Sequence, residues 1–422
     1  MKTLDVNIEI NGKQILAGTI TGSDYKDAVF CYDKKYINIK GIKPISCSLP
    51  LQETPFSVND TKNYFEGLLP EGFSRKSVAN WIKSDENDYL TILEELGKEC
   101  LGAIHIGETS DIPGHYTLLE TEEVKALAAE GATKSTKLLV EAHLSLTGAS
   151  GKVGLYYDFN NDKWYLPSGN LPSTHIVKQS HVRLSQIVIN ELICIKTAEN
   201  LGIPTSDSFI INLGDGRDSD ILFATKRYDR KPSDRTLNNL KIPYRLHQED
   251  FAQALGIASS DKYETSKKNY LSQMFNLISR VSSDPIKDQL LLWDIFVFNF
   301  LIGNTDAHIK NYSLVYDEAL RRIHLAPAYD IVCTGVYGAK KEMSLYIGDK
   351  ILLDTVTRAD FEVAAKEAGL GTKIALTHLD NLADKFEYAL NKSINDVASL
   401  DFIQENSLGS KIMNNCGIKY LN

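Results

Sequence analysis

The residues with the clearest chemical potential lie in one short polar window. Positions 303–311 read Gly-Asn-Thr-Asp-Ala-His-Ile-Lys-Asn, and Asp330 closes a second polar segment further along the chain. A carboxylate such as that of Asp306 can act as a general base. The side-chain oxygens of Asn311 and Asp330 are ligands of the kind that Mg²⁺ binds. The window therefore predicts proton transfer beside a metal ion.

The spacing inside this window is more specific than its composition. Asn311 follows Asp306 by five positions, which is the offset between the base Asp and the magnesium-binding Asn in the catalytic loop of protein kinases. Asp330 then stands where a second metal-binding group is needed. The same residue types also occur in ordinary turns, because Asp, Asn and Gly bond easily to nearby backbone. The prediction of a kinase-like site therefore depends on whether other motifs of a kinase occur in the rest of the chain.

An apolar run precedes the window and predicts the element that positions it. Positions 290–301 read Leu-Leu-Leu-Trp-Asp-Ile-Phe-Val-Phe-Asn-Phe-Leu, which is too apolar for a surface helix. A buried helix that ends in a polar loop holds that loop on a rigid scaffold, and such loops often carry function. Because Asp294 and Asn299 interrupt the run, it predicts no membrane span.

A turn of small residues lies upstream and could bind phosphate. Positions 145–152 read Ser-Leu-Thr-Gly-Ala-Ser-Gly-Lys, and strand-like runs follow at 153–157 and 164–166. Small residues let the backbone approach phosphate oxygens, and successive amides can bind an anion. The spacing matches neither a Walker A loop nor a G-x-G-x-x-G motif. An ordinary hairpin turn therefore remains an alternative.

Two charged residues after this turn could complete the contacts with a nucleotide. Lys178 ends a short β run, where it could hold the α- and β-phosphates as the strand lysine of kinases does. Glu191, in the helix-like segment 186–194, could orient Lys178 as an ion pair. A solvated strand lysine and a surface glutamate remain the alternative. A strand at 221–230 then places positions 226–228 where a kinase hinge would offer backbone groups to adenine.

Strand-like patterns dominate the first part of the chain, and helix-like patterns dominate the rest. Alternating runs on both sides of Asn11-Gly12 predict a β-hairpin, and positions 35–39 predict another strand. We predict an α+β, two-lobed protein-kinase-like fold with a β-rich N-terminal lobe and an all-helical C-terminal lobe. The predicted domains are a β-rich subdomain (1–107), the remainder of the N-lobe with the ATP-binding loop (108–244), and the helical C-lobe with the catalytic loop (245–422).

Composition narrows the class of protein. The 422 residues carry a net charge of −9, with 43% hydrophobic and 24% charged residues, which is ordinary for a soluble globular chain. The charge argues against a generally basic nucleic-acid binder, although a local basic patch stays compatible with it. Six cysteines occur without C-x-x-C pairing, so reduced thiols are expected rather than a disulfide framework. The first residues lack an apolar signal core. We therefore expect a cytoplasmic protein.

Together, these motifs resemble the HipA-type serine/threonine kinases, the toxin half of bacterial HipBA toxin–antitoxin pairs. The resemblance spans nearly the whole chain and is far more specific than any single motif. The matching segments are 68–72, 96–103, 145–149 with Lys152, 174–178, 190–191, 227–230, 245–250, 303–311 and 325–330.

The resemblance implies a role for each matching position. Asp306 would be the catalytic base, Asn311 and Asp330 the magnesium ligands, and Lys178 the lysine that binds the ATP phosphates. Ser145 matches a serine whose autophosphorylation disrupts the ATP loop and silences the kinase. The other implied ATP-binding positions are Thr147, Gly148, Ala149, Ser150, Gly151 and Lys152 in the loop, Lys226, Arg227 and Tyr228 in the hinge, and His308 in the catalytic loop.

One departure from the family pattern concerns the ATP loop. Ser150 stands where the family usually has Gln, two residues before Lys152. This serine is a second candidate for autophosphorylation, and it puts the mode of autoinhibition in doubt.

The resemblance also implies cofactors and partners. It implies a Mg-ATP-dependent protein kinase that arrests growth, with ATP and Mg²⁺ as cofactors. The family's best-known substrate is glutamyl-tRNA synthetase, and its usual partner is HipB, a helix-turn-helix antitoxin that binds operator DNA. Two other functions remain open: a nucleotide-binding co-repressor that acts with such an antitoxin on operator DNA, and a small-molecule kinase on a similar scaffold.

Overall fold

The computed structural model describes residues 1–97, 100–107, 114–128, 152–180, 184–400, 402 and 407–421. The chain forms two compact units, each built from separate stretches of sequence. The first unit comprises Met1–His181, Ala224–Ser259 and Leu314–Ile323. The second unit comprises Val182–Phe223, Ser260–Ser313 and His324–Asn422. The predicted division into three consecutive domains stays a prediction.

The N-terminal part of the first unit is a four-stranded antiparallel sheet in the order β3-β2-β1-β4. Its hairpin was predicted correctly: Asn11 and Gly12 take φ of 50° and 79°, as a tight two-residue turn between twisted strands requires. The strands are β1 (Lys2–Ile10), β2 (Lys13–Gly22), β3 (Val29–Tyr32) and β4 (Ile104–Ile106). The helices are α1 (Lys34–Ile37), α2 (Val58–Glu66), α3 (Gly72–Trp81) and α4 (Tyr89–Leu96).

The strand predicted at 35–39 is wrong, because residues Lys34–Ile37 form helix α1. The carboxylate of Asp33 accepts a hydrogen bond from the Lys35 amide at 2.8 Å and caps the first turn of this helix. The ring of Tyr36 is completely buried in that turn. Capping and burial of one aromatic side chain thus outweigh the strand preference of Tyr36 and its neighbours.

A second sheet of the first unit carries positions predicted to bind nucleotide. Within this unit its strands follow the order β5-β7-β6-β8-β10. They are β5 (Tyr116–Leu118), β6 (Lys152–Asp158), β7 (Lys163–Pro167), β8 (His175–Gln179) and the end of β10 (Ile221–Lys226). Helix α5 (Thr121–Ala128) precedes β6 in the sequence. In the second unit, β9 (Ser208–Asn212) pairs with the beginning of β10.

Short elements connect these parts of the chain. They are β11 (Arg230–Lys231), β12 (Thr236–Leu237), β13 (Leu240–Lys241), β14 (Tyr244–Arg245), β15 (Gln248–Asp250), α7 (Phe251–Leu255), β16 (Ser313–Tyr316) and β17 (Ile323–Leu325).

In the loop before β15, His247 is buried, and its Nε2 donates to the Ile45 carbonyl at 2.7 Å. Burial lowers the pKa of His247 to about 4.

We expect acid to destabilise the first unit through His247. Between about pH 6.5 and pH 4 the unfolded chain binds a proton that the folded imidazole rejects, so the free energy of unfolding falls as the pH falls. The loss is on the order of 3 kcal/mol. Urea unfolding at several pH values measures it, with His247→Gln as the control, because glutamine keeps an N–H donor but cannot titrate. If the free energy of unfolding falls equally steeply with pH in the parent and in His247→Gln, His247 is not the cause of the acid destabilisation.

The second unit is mainly helical. It contains α6 (Ile187–Asn200), α8 (Tyr270–Val281), α9 (Pro285–Ile302), α10 (Arg358–Glu367), α11 (Thr372–Ala398) and α12 (Leu408–Asn415). Helix α9 contains the apolar run at 290–301, as predicted, and buries Trp293, Phe298 and Phe300 completely. The Trp293 indole donates to the Ala375 carbonyl at 2.9 Å and so links α9 to α11. Across the described ranges, every helix is too short or too polar to span a lipid bilayer.

The expectation of an all-helical C-terminal lobe needs correction. Strands β18 (Glu342–Ile347) and β19 (Lys350–Leu352) form an antiparallel hairpin, and β16 and β17 also lie after residue 245. Polar and apolar residues alternate along β18, and Met343, Leu345 and Ile347 are buried on one face. This period-two pattern is typical of a strand, and the prediction of an all-helical lobe overlooked it.

Candidate active site

The window around Asp306 begins at a tight helix terminus. Helix α9 ends at Ile302, and Gly303 takes φ 76°, with its amide donating to the Phe300 carbonyl at 3.0 Å. A Cβ on Gly303 would lie 2.5 Å from the Asn415 carbonyl oxygen. Glycine is therefore required both for the left-handed backbone and for space. This terminus turns the chain out of the buried helix and into the polar window.

Hydrogen bonds close the loop around Asp306. Its carbonyl accepts from the His308 amide at 2.8 Å and from the Asn311 side-chain amide at 3.0 Å. Its own amide donates to the side-chain oxygen of Asn304 at 3.2 Å. Asn304 is buried, whereas Asp306 is exposed. The two residues that share the kinase-like spacing are thus bonded to each other, and the candidate base is accessible.

An aromatic residue that the sequence analysis missed contacts this loop. The hydroxyl of Tyr263 donates to Oδ1 of Asp306 at 2.7 Å. Its ring meets the His308 imidazole edge-on, with 5.1 Å between ring centroids. His308 itself is buried and precedes the short 3₁₀ turn Ile309–Asn311. Tyr263 lies 43 positions before Asp306 and outside any recognisable motif, so no local signal identifies it.

A second tyrosine connects the neighbours of the two predicted metal ligands. The Tyr329 hydroxyl donates to the Lys310 carbonyl at 3.0 Å and shares a hydrogen bond with the Ser313 hydroxyl at 2.6 Å. Lys310 directly precedes Asn311, and Tyr329 directly precedes Asp330. One phenol therefore holds together the backbone segments that carry Asn311 and Asp330.

The backbone of Asp330 is in an uncommon conformation. Its φ is 57°, in the left-handed region that residues other than glycine rarely adopt. Aspartate and asparagine adopt it at lower cost than other side chains, because their short polar groups bond locally. Such conformations cluster at functional sites, where the surrounding structure enforces them. The backbone thus favours aspartate or asparagine at position 330, and the role of Asp330 as a metal ligand stays a prediction.

The chemistry of these side chains fits magnesium. One carboxylate and one amide oxygen can supply two ligands, while phosphate oxygens and water complete the octahedral shell that Mg²⁺ requires. In the part of the chain that the structure describes, no group of three or more His, Cys, Asp or Glu residues is placed to hold a metal. Asn311 and Asp330 fit an ion whose remaining ligands come from a nucleotide and water.

In the first unit, the two predicted phosphate-binding lysines face each other. Strands β6 and β8 pair in a register that makes Lys152 the cross-strand partner of Lys178, and Lys178 is buried. Like charges directly opposite each other on a sheet are destabilising. The register thus brings two predicted ATP-binding lysines side by side, and their contact with phosphate stays a prediction.

Arg227 has a structural role that its sequence position did not reveal. Its buried guanidinium donates to the Asp229 carboxylate at 2.9 and 2.7 Å and to the Ser173 hydroxyl at 2.9 Å. Its amide donates to the Thr174 carbonyl at 2.9 Å. Burial raises the pKa of Asp229, but the charges of Arg227 and Arg230 lower it below its usual value. The side chain of Arg227 thus stabilises the interior of the first unit.

Other predicted site residues remain predictions. Lys226 is exposed, and the Tyr228 hydroxyl donates to the side-chain oxygen of Gln248. Glu191 is buried on α6 in the second unit, whereas Lys178 belongs to the first, and their ion pair stays a prediction. The predicted ATP-loop and autophosphorylation positions outside the described residues are Ser145, Thr147, Gly148, Ala149, Ser150 and Gly151.

Sequence comparison gives consistent matches over most of the chain. Residues 144–390 match the profile of the HipA-like C-terminal domain, and residues 8–107 match that of the HipA N-terminal domain. The candidate kinase Y4mE of Sinorhizobium fredii is 30% identical over 397 residues, which cover 91% of each protein. The serine/threonine-protein kinase toxin HipA of Shewanella oneidensis is 26% identical over 386 residues, covering 85% of this chain and 82% of that protein.

Structural comparison supports the predicted fold class. A chain in the solved complex of HipA, HipB and operator DNA from Shewanella oneidensis MR-1 superposes with a TM-score of 0.78. The match covers 99% of this chain and 96% of that chain, at 21% sequence identity. At this identity the similarity establishes the fold. The predicted α+β, kinase-like fold class is therefore confirmed.

Proposed function

Because the chain belongs to the HipA family, we propose that it is a Mg-ATP-dependent serine/threonine protein kinase and the toxin of a type II toxin–antitoxin pair. The observation that carries the proposal is the geometry of the polar window. An exposed Asp306 is bonded through its carbonyl to Asn311, and Tyr329 ties the neighbour of Asn311 to the segment of Asp330. This arrangement suits a general base beside two metal-binding oxygens.

In the proposed mechanism, Asp306 binds the hydroxyl of a serine or threonine and takes its proton. The hydroxyl oxygen bonds to the γ-phosphorus of ATP, the bond from that phosphorus to the bridging oxygen breaks, and ADP leaves. Lys178 and Lys152 bind the phosphates of ATP and offset their negative charge. Asn311 and Asp330 would hold Mg²⁺, which would supply positive charge against the phosphates of the nucleotide. Little covalent chemistry is left to the protein, so the rate depends on positioning and charge.

The proposed physiological context follows the family. We propose glutamyl-tRNA synthetase or a similar translation factor as the substrate, a HipB-like helix-turn-helix antitoxin as the partner, and a cytoplasmic location. We also propose that autophosphorylation of Ser145 or Ser150 silences the kinase. The net charge of −9 supports contact with operator DNA only through the antitoxin.

Intact-mass measurement after incubation with Mg-ATP tests the proposed kinase activity. We expect the parent to gain phosphate, and one of the two variants Ser145→Ala and Ser150→Ala to lose that gain. Omission of magnesium serves as the control, because transfer needs the metal. A parent protein whose mass stays unchanged, and which also fails to phosphorylate glutamyl-tRNA synthetase, would contradict the proposed function.

A second candidate function is that of a nucleotide-binding co-repressor. It is favoured by the similar fold of a chain that was solved in complex with HipB and operator DNA. In this role the protein would bind an antitoxin on DNA whether or not it transfers phosphate. Gel mobility shifts of operator DNA, with and without the antitoxin, measure this role separately from phosphate transfer.

A further inference from the structure

Tyr263 stands out because its polar end reaches the candidate base. Its hydroxyl donates to Oδ1 of Asp306 at 2.7 Å, although 40% of the residue is exposed to solvent. An exposed aspartate without such a partner samples several side-chain rotamers. The hydrogen bond from Tyr263 therefore restricts the carboxylate of Asp306 through its Oδ1 atom.

The segment that carries Tyr263 is itself firmly held. The next residue, Glu264, is buried, and its carboxylate accepts hydrogen bonds from three backbone amides. These amides belong to Lys268 at 2.7 Å, Tyr270 at 3.1 Å and Tyr346 at 3.1 Å. Glu264 thereby joins the beginning of α8 to β18. Tyr263 is therefore attached to a fixed backbone rather than to a free loop.

A single residue of β18 fixes Tyr263 and Asp306 relative to each other. The carbonyl of Ser344 accepts from the Glu264 amide at 2.9 Å. The hydroxyl of Ser344 donates to the Thr305 carbonyl at 2.8 Å. Glu264 adjoins Tyr263, and Thr305 adjoins Asp306, so the phenol and the carboxylate approach each other from two backbones anchored at the same point.

From this arrangement we infer that Tyr263 is a positioning residue for phosphoryl transfer. It holds the Asp306 carboxylate in the rotamer from which the base reaches the acceptor hydroxyl. The inference rests on the proposed kinase function and assigns a part of that site which the sequence motifs leave out. Its physical basis is that small displacements of a catalytic group lower the rate steeply.

The variant Tyr263→Phe tests this role, because it removes the hydroxyl and keeps the ring that packs against His308. We expect kcat to fall roughly tenfold to hundredfold, while the KM for ATP stays unchanged. Tyr388→Phe is the matched control, because Tyr388 lies in the same unit with 75% exposure. It should leave both kcat and KM unchanged.

The carbon NMR resonance of the Asp306 carboxyl, recorded at one fixed pH, adds a readout that does not need turnover. We expect its chemical shift to change in Tyr263→Phe and to stay unchanged in Tyr388→Phe. An active parent with an unaltered kcat in Tyr263→Phe overturns the positioning role alone. A faster variant overturns it as well and identifies the phenol as an obstruction to the acceptor. A parent that transfers no phosphate overturns the proposed function, and the positioning role with it.

Discussion

Replacement of Asp306 by asparagine is expected to lower the rate of phosphoryl transfer by about 10³-fold, within the range attributed to general base catalysis. The variant keeps the size and shape of the side chain, and the Tyr263 hydroxyl can still donate to the amide oxygen. The hydrogen bonds of the Asp306 backbone to His308, Asn304 and Asn311 are unaffected by the substitution. What is lost is the group that takes the proton of the acceptor hydroxyl.

The measurement pairs transfer from radiolabelled ATP with calorimetric binding of Mg-ATP. We expect the affinity for Mg-ATP to stay within about twofold of the parent while transfer is lost, because the base contacts the acceptor rather than the nucleotide. Asp384→Asn is the matched control, since Asp384 is an exposed aspartate of α11 in the same unit. Transfer by Asp306→Asn at the parent rate would show that another group is the base.

Replacement of Asp330 by asparagine is expected to weaken Mg-ATP binding by about 10- to 100-fold and to leave metal-free ATP binding unchanged. Loss of the negative charge removes most of the attraction for the ion. Asparagine is the informative choice because it tolerates the left-handed backbone of position 330, where φ is 57°.

Alanine at position 330 provides the comparison that separates charge from backbone strain. Alanine removes the metal-binding carboxylate. It also puts a side chain that cannot bond locally into the left-handed region, which lowers the free energy of unfolding by roughly 1–2 kcal/mol. We therefore expect Asp330→Ala to lose metal-dependent affinity and stability together, and Asp330→Asn to lose mainly the affinity. Equal affinity of parent and Asp330→Asn, with and without magnesium, would remove Asp330 from the proposed metal site.

The candidate site was predicted from sequence only where its chemistry is local. Asp306 and Asn311 are five positions apart, and the structure bonds them to each other, so their spacing reports a real loop. Tyr263 could not be found in this way, since only the fold brings it to Asp306. The role of Arg227 was hidden for a similar reason. An arginine next to a predicted hinge gives no sign of whether its guanidinium points to a ligand or into a buried ion pair.

The fold was predictable where patterning and turn chemistry agreed. The Asn11-Gly12 hairpin and the apolar helix α9 followed from short-range rules that the tertiary structure did not override. Helix α1 escaped prediction because a cap at Asp33 and the burial of Tyr36 decide its conformation. The hairpin of β18 and β19 escaped although β18 alternates polar and apolar residues, because six- and three-residue strands give a short signal within a largely helical stretch of sequence.

The interleaving of the two units in sequence has a consequence for synthesis on the ribosome. The first unit needs the segment Leu314–Ile323: the Asn11 amide donates to the Glu318 carbonyl at 2.8 Å, and the Tyr316 hydroxyl donates to Glu249 at 2.6 Å. The second unit needs helices α10, α11 and α12, which follow this segment in the sequence. A nascent chain can therefore complete neither unit until Ile323 has left the exit tunnel, so residues 1–181 wait on the ribosome for a partner segment that is made much later.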